Sequence, residues 1–480
     1  MNASLLVLEY AVVSIALAVL LLDLWLPSAA KSKLGYVAAF ALTGVLCASF
    51  LLNPETAQFA FNHSYVLDSL SLFFKRLFLV AAIITLLISV DFSDRLITGV
   101  SEFYALILFA LTGMMLAASA NDFAMLFVSL ELITVTFYVL TSFQRNRIRS
   151  LEAGVKYLIL GALSSAFMVY GIALIFGAAG TTRFDAITLA SVQLATKPLF
   201  LLGLLLTVAG LAFKIASFPF QIWAPDVYQG APTPAVAFLA VGSKAAGFVL
   251  LLRVLFGTVP NITAQWTSLL ILISIITILY GNLCAIPQRN LKRLLGYSSI
   301  GNAGYLMLGI TASNSSGASA ILYFLGGYLF SVLAAFAVIS IVSRQSDDED
   351  ISILAGLHHR SPLLALALTL AFVSLAGIPP LAGFFGKFLL LKSIVHKVGQ
   401  PGFPILIGVA LFGIVVSFYY YLGVVRAIYW SKNPPNLSPI SVPTPTRLVL
   451  YTCIAGIVYL GIFPNSPLAT ATQAVLPFKF

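Results

Sequence analysis

Apolar residues run along this chain in long unbroken blocks. Fourteen can be read, at about 5–27, 34–52, 69–90, 102–119, 122–143, 151–178, 198–218, 234–256, 266–286, 294–311, 318–342, 362–396, 403–430 and 447–464. A helix needs roughly 20 apolar residues to cross the hydrocarbon of a bilayer. Short strands of alternating polarity, the mark of a membrane barrel, are absent. The pattern therefore predicts an all-α polytopic membrane protein with about 14 transmembrane helices. Glu9 falls inside the first block, which has neither a basic leader nor a small-residue cleavage site, so that block is expected to be a retained helix and not a signal peptide.

Two blocks are interrupted. The seventh reads Gly210-Leu-Ala-Phe-Lys214-Ile-Ala-Ser-Phe-Pro219 and continues through Pro225, Pro232 and Pro234. The twelfth, about 35 residues long, is split by Gly377-Ile-Pro379-Pro380 with Gly383 and Gly386 beyond. Proline removes an amide donor and clashes with the preceding turn. Broken helices at membrane depth persist only where the freed backbone faces protein or a water-filled cavity, and in transporters built from repeats a matched pair of breaks points to the ion site. Pro219 and Pro380 lie 161 residues apart, and the starts of the fourth and ninth blocks, near Glu102 and Trp266, lie 164 apart. These offsets predict two five-helix repeats with discontinuous helices 7 and 12. The division is 1–100 (helices 1–3), 101–260 (repeat one), 261–431 (repeat two) and 432–480 (helix 14).

Charge is scarce: 26 Lys and Arg and 16 Asp and Glu serve 480 residues, 60% of them hydrophobic. That excludes a water-soluble enzyme. The net charge of +10 forms no basic face, so no nucleic-acid partner is expected, and the basic residues instead sort by loop. One side receives Lys31, Lys33, Arg95, Arg145, Arg147, Arg149, Arg289, Lys292, Arg293, Arg344, Arg360, Lys432 and Arg447. The other receives Arg183, Lys197, Arg253, Lys392, Lys397 and Lys479. Thirteen against six makes the first side cytoplasmic, with both termini outside. The acidic run Asp347 to Asp350 is then expected as a solvated cytoplasmic loop. Cys47, Cys284 and Cys453 stand alone, and His63, His358, His359 and His396 fall in or near loops, so neither a metal nor a haem is expected. Gly242-Ser-Lys244 and Gly383-Phe-Phe-Gly-Lys387 lack the full phosphate-loop pattern, so no nucleotide is expected either.

Four charges remain at depth. Glu131 sits about ten residues from either end of the fifth block, Lys244 is equally deep in the eighth, and Lys214 and Lys387 each lie within about seven residues of an interruption. Each central charge opposes insertion by about 2.5–3.5 kcal/mol, so the four together cost about 10–14 kcal/mol. A whole domain has a net stability of only about 5–15 kcal/mol. Three lysines outnumber the one deep carboxylate, so pairing alone cannot hold them all. A buried lysine able to give up its proton is a proton carrier. Lys156, four residues after Glu152, also suits an ordinary ion pair along one helix face.

The stretch Phe213-Lys214-Ile-Ala-Ser-Phe-Pro219-Phe-Gln-Ile-Trp223-Ala-Pro225-Asp226-Val-Tyr228-Gln-Gly230-Ala-Pro232-Thr-Pro234, followed by Ser243-Lys244, closely resembles the core of the antiporter-like membrane subunits of proton-pumping NADH:quinone oxidoreductase. Asn290-Leu-Lys292-Arg293-Leu-Leu-Gly-Tyr297-Ser298-Ser299-Ile and Gly377-Ile-Pro379-Pro380-Leu-Ala-Gly383-Phe-Phe-Gly-Lys387 fit the same pattern, and Asp-Val-Tyr with Gly-Ala-Pro-Thr-Pro is similar to the subunit N branch. The resemblance implies a fourteen-helix translocase subunit of a bacterial inner membrane, built on two inverted five-helix repeats, with neighbouring membrane-arm subunits and lipid as partners. It implies no cofactor in this chain; FMN, iron-sulfur clusters and quinone would belong to other subunits.

Carried over by position, the resemblance pairs Glu131 with Lys214 in one half-channel. It makes Lys244 the connection and Lys387 the residue of the outward half-channel. Lys156, Lys292 and Tyr305 are secondary members of the path. Two positions depart: Gln221 and Asn302 stand where the family often has histidine, and neither titrates near neutral pH. Proton steps there fall to water, lysine or Tyr305. The same module occurs in multisubunit cation/proton antiporters and membrane-bound hydrogenases, so a subunit of one of these is the alternative. A structural spacer in the membrane arm is a third reading.

Overall fold

A computed structural model describes residues 3–52, 56–344, 349–431 and 438–478. Asp347, Asp348, Lys432 and Lys479 lie outside these. Each of the fourteen apolar blocks is helical. Eleven of the described helices are long and apolar enough to cross a membrane. The second, Leu34–Ser49, is short, and the twelfth is divided into Pro362–Ala376 and Ala382–Val395. The tenth, Leu291–Ala312, is long enough but is diluted by glycine, serine and Lys292. Helix starts follow the local sequence. Asp68 caps Ser69–Phe92 and exchanges hydrogen bonds with Ser71, while Asp122, Asn290 and Asn314 cap the fifth, tenth and eleventh helices.

One element departs from the predicted all-α set, and short connecting helices add to it. Gln58–Ala60 and Tyr65–Leu67 form a two-stranded antiparallel hairpin between the second and third helices, turning through Phe61, Asn62 and His63 at positive φ. A short helix, Phe184–Leu194, lies between the sixth and seventh.

Over their most apolar windows the eighth helix, Thr233–Thr258, is wholly buried and the eleventh, Ser315–Val342, 89% buried. Ser4–Asp23, Ile148–Ala179 and Phe403–Tyr429 are each no more than one-third buried and form the outside. Packing order repeats. Val100–Ala118 packs on Phe123–Thr141, that helix on Ile148–Ala179, and that one on Pro198–Ile215. In the same sequence Thr267–Ala285 packs on Leu291–Ala312, that helix on Ser315–Val342, and that one on both halves of the twelfth. Thr267–Ala285 and Leu291–Ala312 meet backbone to backbone: a Cβ on Gly281 would lie 2.2 Å from the Gly301 nitrogen.

Both interrupted helices use the same device. Pro198–Ile215 ends in the left-handed Ala216, at φ 57°, and Pro362–Ala376 ends in the left-handed Gly377, at φ 91°. Each is followed by a cis peptide bond, Phe218–Pro219 and Pro379–Pro380. The chain restarts as Trp223–Gly230 and as Ala382–Val395. Pro225 sits in the first turn of the Trp223–Gly230 restart and Pro234 at the start of Thr233–Phe238. A missing amide costs little at those positions.

Candidate functional site

Lys214 is buried on the last turn before the seventh-helix break, and its ammonium donates to the hydroxyl of Thr134, which in turn donates to the Leu130 carbonyl at 2.6 Å. Glu131, one turn earlier on the same helix as Thr134, is only half-buried and accepts from the Ser165 hydroxyl of the sixth helix. The expected Glu131–Lys214 ion pair is therefore open. Each partner is held by a hydroxyl group instead, Lys214 by Thr134 and Glu131 by Ser165.

Lys244 lies where the eighth helix passes from a π-helical turn, Leu239–Ser243, back to α-helix. Such turns recur at functional sites because they re-aim a side chain. Its ammonium donates to the Ser299 carbonyl at 2.5 Å and to the Ser299 hydroxyl, and the Tyr228 hydroxyl shares that oxygen at 2.9 Å. The ring of Tyr328 lies 5.7 Å away.

Lys387 reaches back across the second break to the Leu375 carbonyl at 2.8 Å and the Ala376 carbonyl at 3.0 Å. These are orphaned acceptors at the end of the preceding half-helix, where partial negative charge collects. The first break has a similar latch: Trp223 Nε1, on the restart, donates to the Phe213 carbonyl at 3.0 Å. Tyr305 turns its ring face to Lys387, 4.9 Å from the ammonium to the centroid, and sends its hydroxyl to the Ala410 carbonyl at 3.0 Å. It thus meets the lysine as a π surface and not through the oxygen expected to carry a proton.

The other two expected residues are ion-paired. Lys292 donates to Glu349 and to the Ala231 carbonyl, both at 2.9 Å. Glu349 is buried, and residues 289–291 exchange backbone hydrogen bonds with 349–351, so this end of the acidic run is a docked segment and not the solvated loop expected. Lys156, partly exposed, bridges Glu152 at 2.7 Å and Asp226 at 2.8 Å, and Asp226 also accepts from Arg293 at 2.5 Å. Gln221 Oε1 and Ser217 Oγ are buried beside the first break with no hydrogen-bond partner among the described residues.

A second buried cluster lies apart from the breaks. Lys75 pairs with Glu9 at 2.8 Å and donates to the Tyr65 hydroxyl at 2.7 Å, while Arg253 grips Asp68 through two bonds at 2.9 and 3.2 Å. Arg253, assigned to an outward loop, is an interior residue that ties the eighth helix to the third. Glu9 in the first block and Lys75 and Arg253 near block ends were the visible signals. Their pairing was not, because it joins residues 66 and 185 positions apart.

These features define a class: polytopic membrane proteins in which two helices break at mid-bundle and buried lysines sit at or near the breaks. The chain belongs to the NADH:quinone oxidoreductase/Mrp antiporter transmembrane family, whose model matches residues 120–414. A protein of Moorella thermoacetica described as NADH-quinone oxidoreductase subunit N is 39% identical over 480 residues, with 99% of each chain covered. In a structure of respiratory complex I from Thermus thermophilus with bound aureothin, a chain 34% identical superposes with a TM-score of 0.81, covering 96% of this chain and 98% of that one. A chain of the Mrp complex from Dietzia sp. DQ12-45-1b reaches a TM-score of 0.84 over 98% of this chain and 52% of that one, at 24% identity, a likeness of fold alone.

Proposed function

We propose that this chain is a proton-translocating membrane-arm subunit of an NADH:quinone oxidoreductase, of the subunit N type. One observation carries the reading: Lys214, Lys244 and Lys387 are all buried, and each ammonium is held by hydroxyl or carbonyl oxygens and not, among the described residues, by a carboxylate. Burying a charge with no counter-ion is costly, and giving up the proton is the relief open to a lysine. Glu131, one turn from the Thr134 that holds Lys214, is the switch. Bringing its carboxylate onto Lys214 holds the proton there, and moving it away to Ser165 releases the proton toward Lys244 and Lys387.

The driving energy comes from quinone reduction elsewhere in the complex, where FMN, iron-sulfur clusters and quinone are held by other subunits. Neighbouring membrane-arm subunits flank this chain in a bacterial inner membrane, with both termini on the periplasmic side. The two repeats occupy 101–260 and 261–431, between the helices of 1–100 and the final helix of 432–480. Full-length likeness to proteins named for this complex supports it over a free-standing antiporter.

The test is Lys214→Met and Lys387→Ala in the assembled complex. Proton pumping and coupled quinone reduction should fall at least tenfold, positioned proton transfer being worth about 10²–10⁴-fold, while the complex still assembles. Normal pumping by both variants would overturn the reading.

A further inference from the structure

Beside the Ser299 that holds Lys244 lies a buried polar cluster that neither deep lysine's own bonds account for. Tyr421, from the thirteenth helix, is fully buried and hydrogen-bonded to the Ser298 hydroxyl. Its neighbour Tyr420 donates to Asn282 Oδ1 at 3.1 Å, with the two phenol rings 4.5 Å apart. Asn302 donates to Ser298 at 3.4 Å. Ser298 is followed directly by Ser299, whose hydroxyl and carbonyl hold Lys244. A core phenylalanine would fill either tyrosine's place without needing a partner, whereas a buried hydroxyl costs free energy unless it is bonded.

The cluster also reaches the surface. Tyr420 is among the residues lining a mainly apolar cleft of about 1130 Å³, together with Gln288 after the ninth helix and Tyr419, Gly423, Arg426 and Trp430 at the end of the thirteenth. Polar groups at that rim, Gln288 and Arg426, suit entry of water. The family's common histidine is here Asn302, so the interior between the two lysines has no imidazole.

We propose that Tyr420, Tyr421 and Ser298 form a hydroxyl relay conducting protons between this cleft and Lys244. The inference rests on the proton-translocating reading above. Each hydroxyl in the line forms one O–H bond on its lone pair as it breaks another, so a proton taken up at Tyr420 is matched by one delivered beyond Ser298, with no net change in any residue.

The experiment uses the intact complex. Tyr421→Phe keeps the ring and removes the oxygen. Proton pumping should fall about fivefold or more with assembly unchanged, and the solvent deuterium isotope effect on turnover should rise, as a purely structural role would not require. A second pair of variants works from the outside. A side chain at Gly423 would enter open space within the cleft, and one at Gly408 would enter open space elsewhere on the same exposed helix face. Gly423→Trp should reduce pumping about as much as Tyr421→Phe, and Gly408→Trp should leave it at wild-type level. If Tyr421→Phe fails to assemble, the Gly423→Trp and Gly408→Trp pair decides the matter. Should Gly423→Trp and Tyr421→Phe both pump normally while Lys214→Met and Lys387→Ala do not, the relay is wrong and the parent reading stands. Normal pumping by the lysine variants as well would remove both.

Discussion

Lys244, on the eighth helix, hands its ammonium to Ser299, on the tenth, through both the hydroxyl and the carbonyl oxygen. The two acceptors differ in what mutation can remove. Ser299→Ala deletes the hydroxyl and spares the carbonyl, so the lysine keeps a partner at 2.5 Å. Pumping in the assembled complex should drop severalfold in Ser299→Ala and about tenfold or more in Lys244→Met. Wild-type pumping in Ser299→Ala would show that the hydroxyl has no part of its own.

Glu131 and Ser165 form the carboxylate side of the open pair. Glu131→Gln keeps the shape and the acceptor oxygen but removes the charge that acts on Lys214, so coupled turnover should fall about tenfold. Ser165→Ala frees the carboxylate from its hydroxyl partner and favours closure onto Lys214. The expected result is a slower turnover with normal assembly, read as quinone reductase rate in sealed vesicles before and after an uncoupler is added. A rate that stays slow after the uncoupler places the block inside the subunit; a rate restored to the wild-type level by the uncoupler would contradict the assignment.

Arg253 and Asp68 are fully desolvated partners, and removing either leaves an unpaired buried charge. Asp68→Leu or Arg253→Leu should destabilise the chain by about 3–5 kcal/mol, and the double substitution should recover most of that loss. Lys75→Met and Glu9→Leu should behave in the same way. Thermal unfolding of the detergent-solubilised complex measures it. A double variant no better than either single one would mean that the pair holds more than its own charges.

Gly281 and Gly301 set the closest approach of the ninth and tenth helices. Gly281→Leu must push a side chain into the Gly301 backbone, 2.2 Å from where its Cβ would lie. Overpacking of this kind costs about 1–3 kcal/mol or more. The shift would also disturb Asn282, which accepts from Tyr420, so both subunit retention and pumping should suffer. At Gly326, where a Cβ meets nothing within 4 Å, the same substitution should be tolerated.

The long apolar blocks made the helices legible, because membrane depth imposes a length that any reader of hydropathy can count. The breaks were legible for the same reason: Pro219, Pro380 and Gly377 have no other use inside an apolar run. The lysines stood out by their cost. What the sequence hid were the neutral partners. Thr134, Ser165, Ser299 and Tyr421 are common residues in spanning helices, and a hydroxyl that holds a lysine looks the same in one dimension as one bonded back to its own helix. Glu349 was hidden differently. It sits in a charged run that reads as solvated, and only the fold shows it docked onto Lys292. Arg253 stands near the end of an apolar block, where a basic residue usually marks a loop, yet the helix continues to Thr258 and carries it inside.

Every residue of Leu291–Ala312 except Arg293 is buried, although the helix is too polar to qualify by composition as a spanning segment. Such a helix does not partition into lipid by itself. During synthesis it has to wait at the insertion machinery until Thr267–Ala285 ahead of it and Ser315–Val342 behind it can shield its serines, asparagine and lysine. The helix that carries Ser298 and Ser299 is therefore the one whose entry into the bilayer depends most on its neighbours, and biogenesis of the subunit is cooperative at its centre.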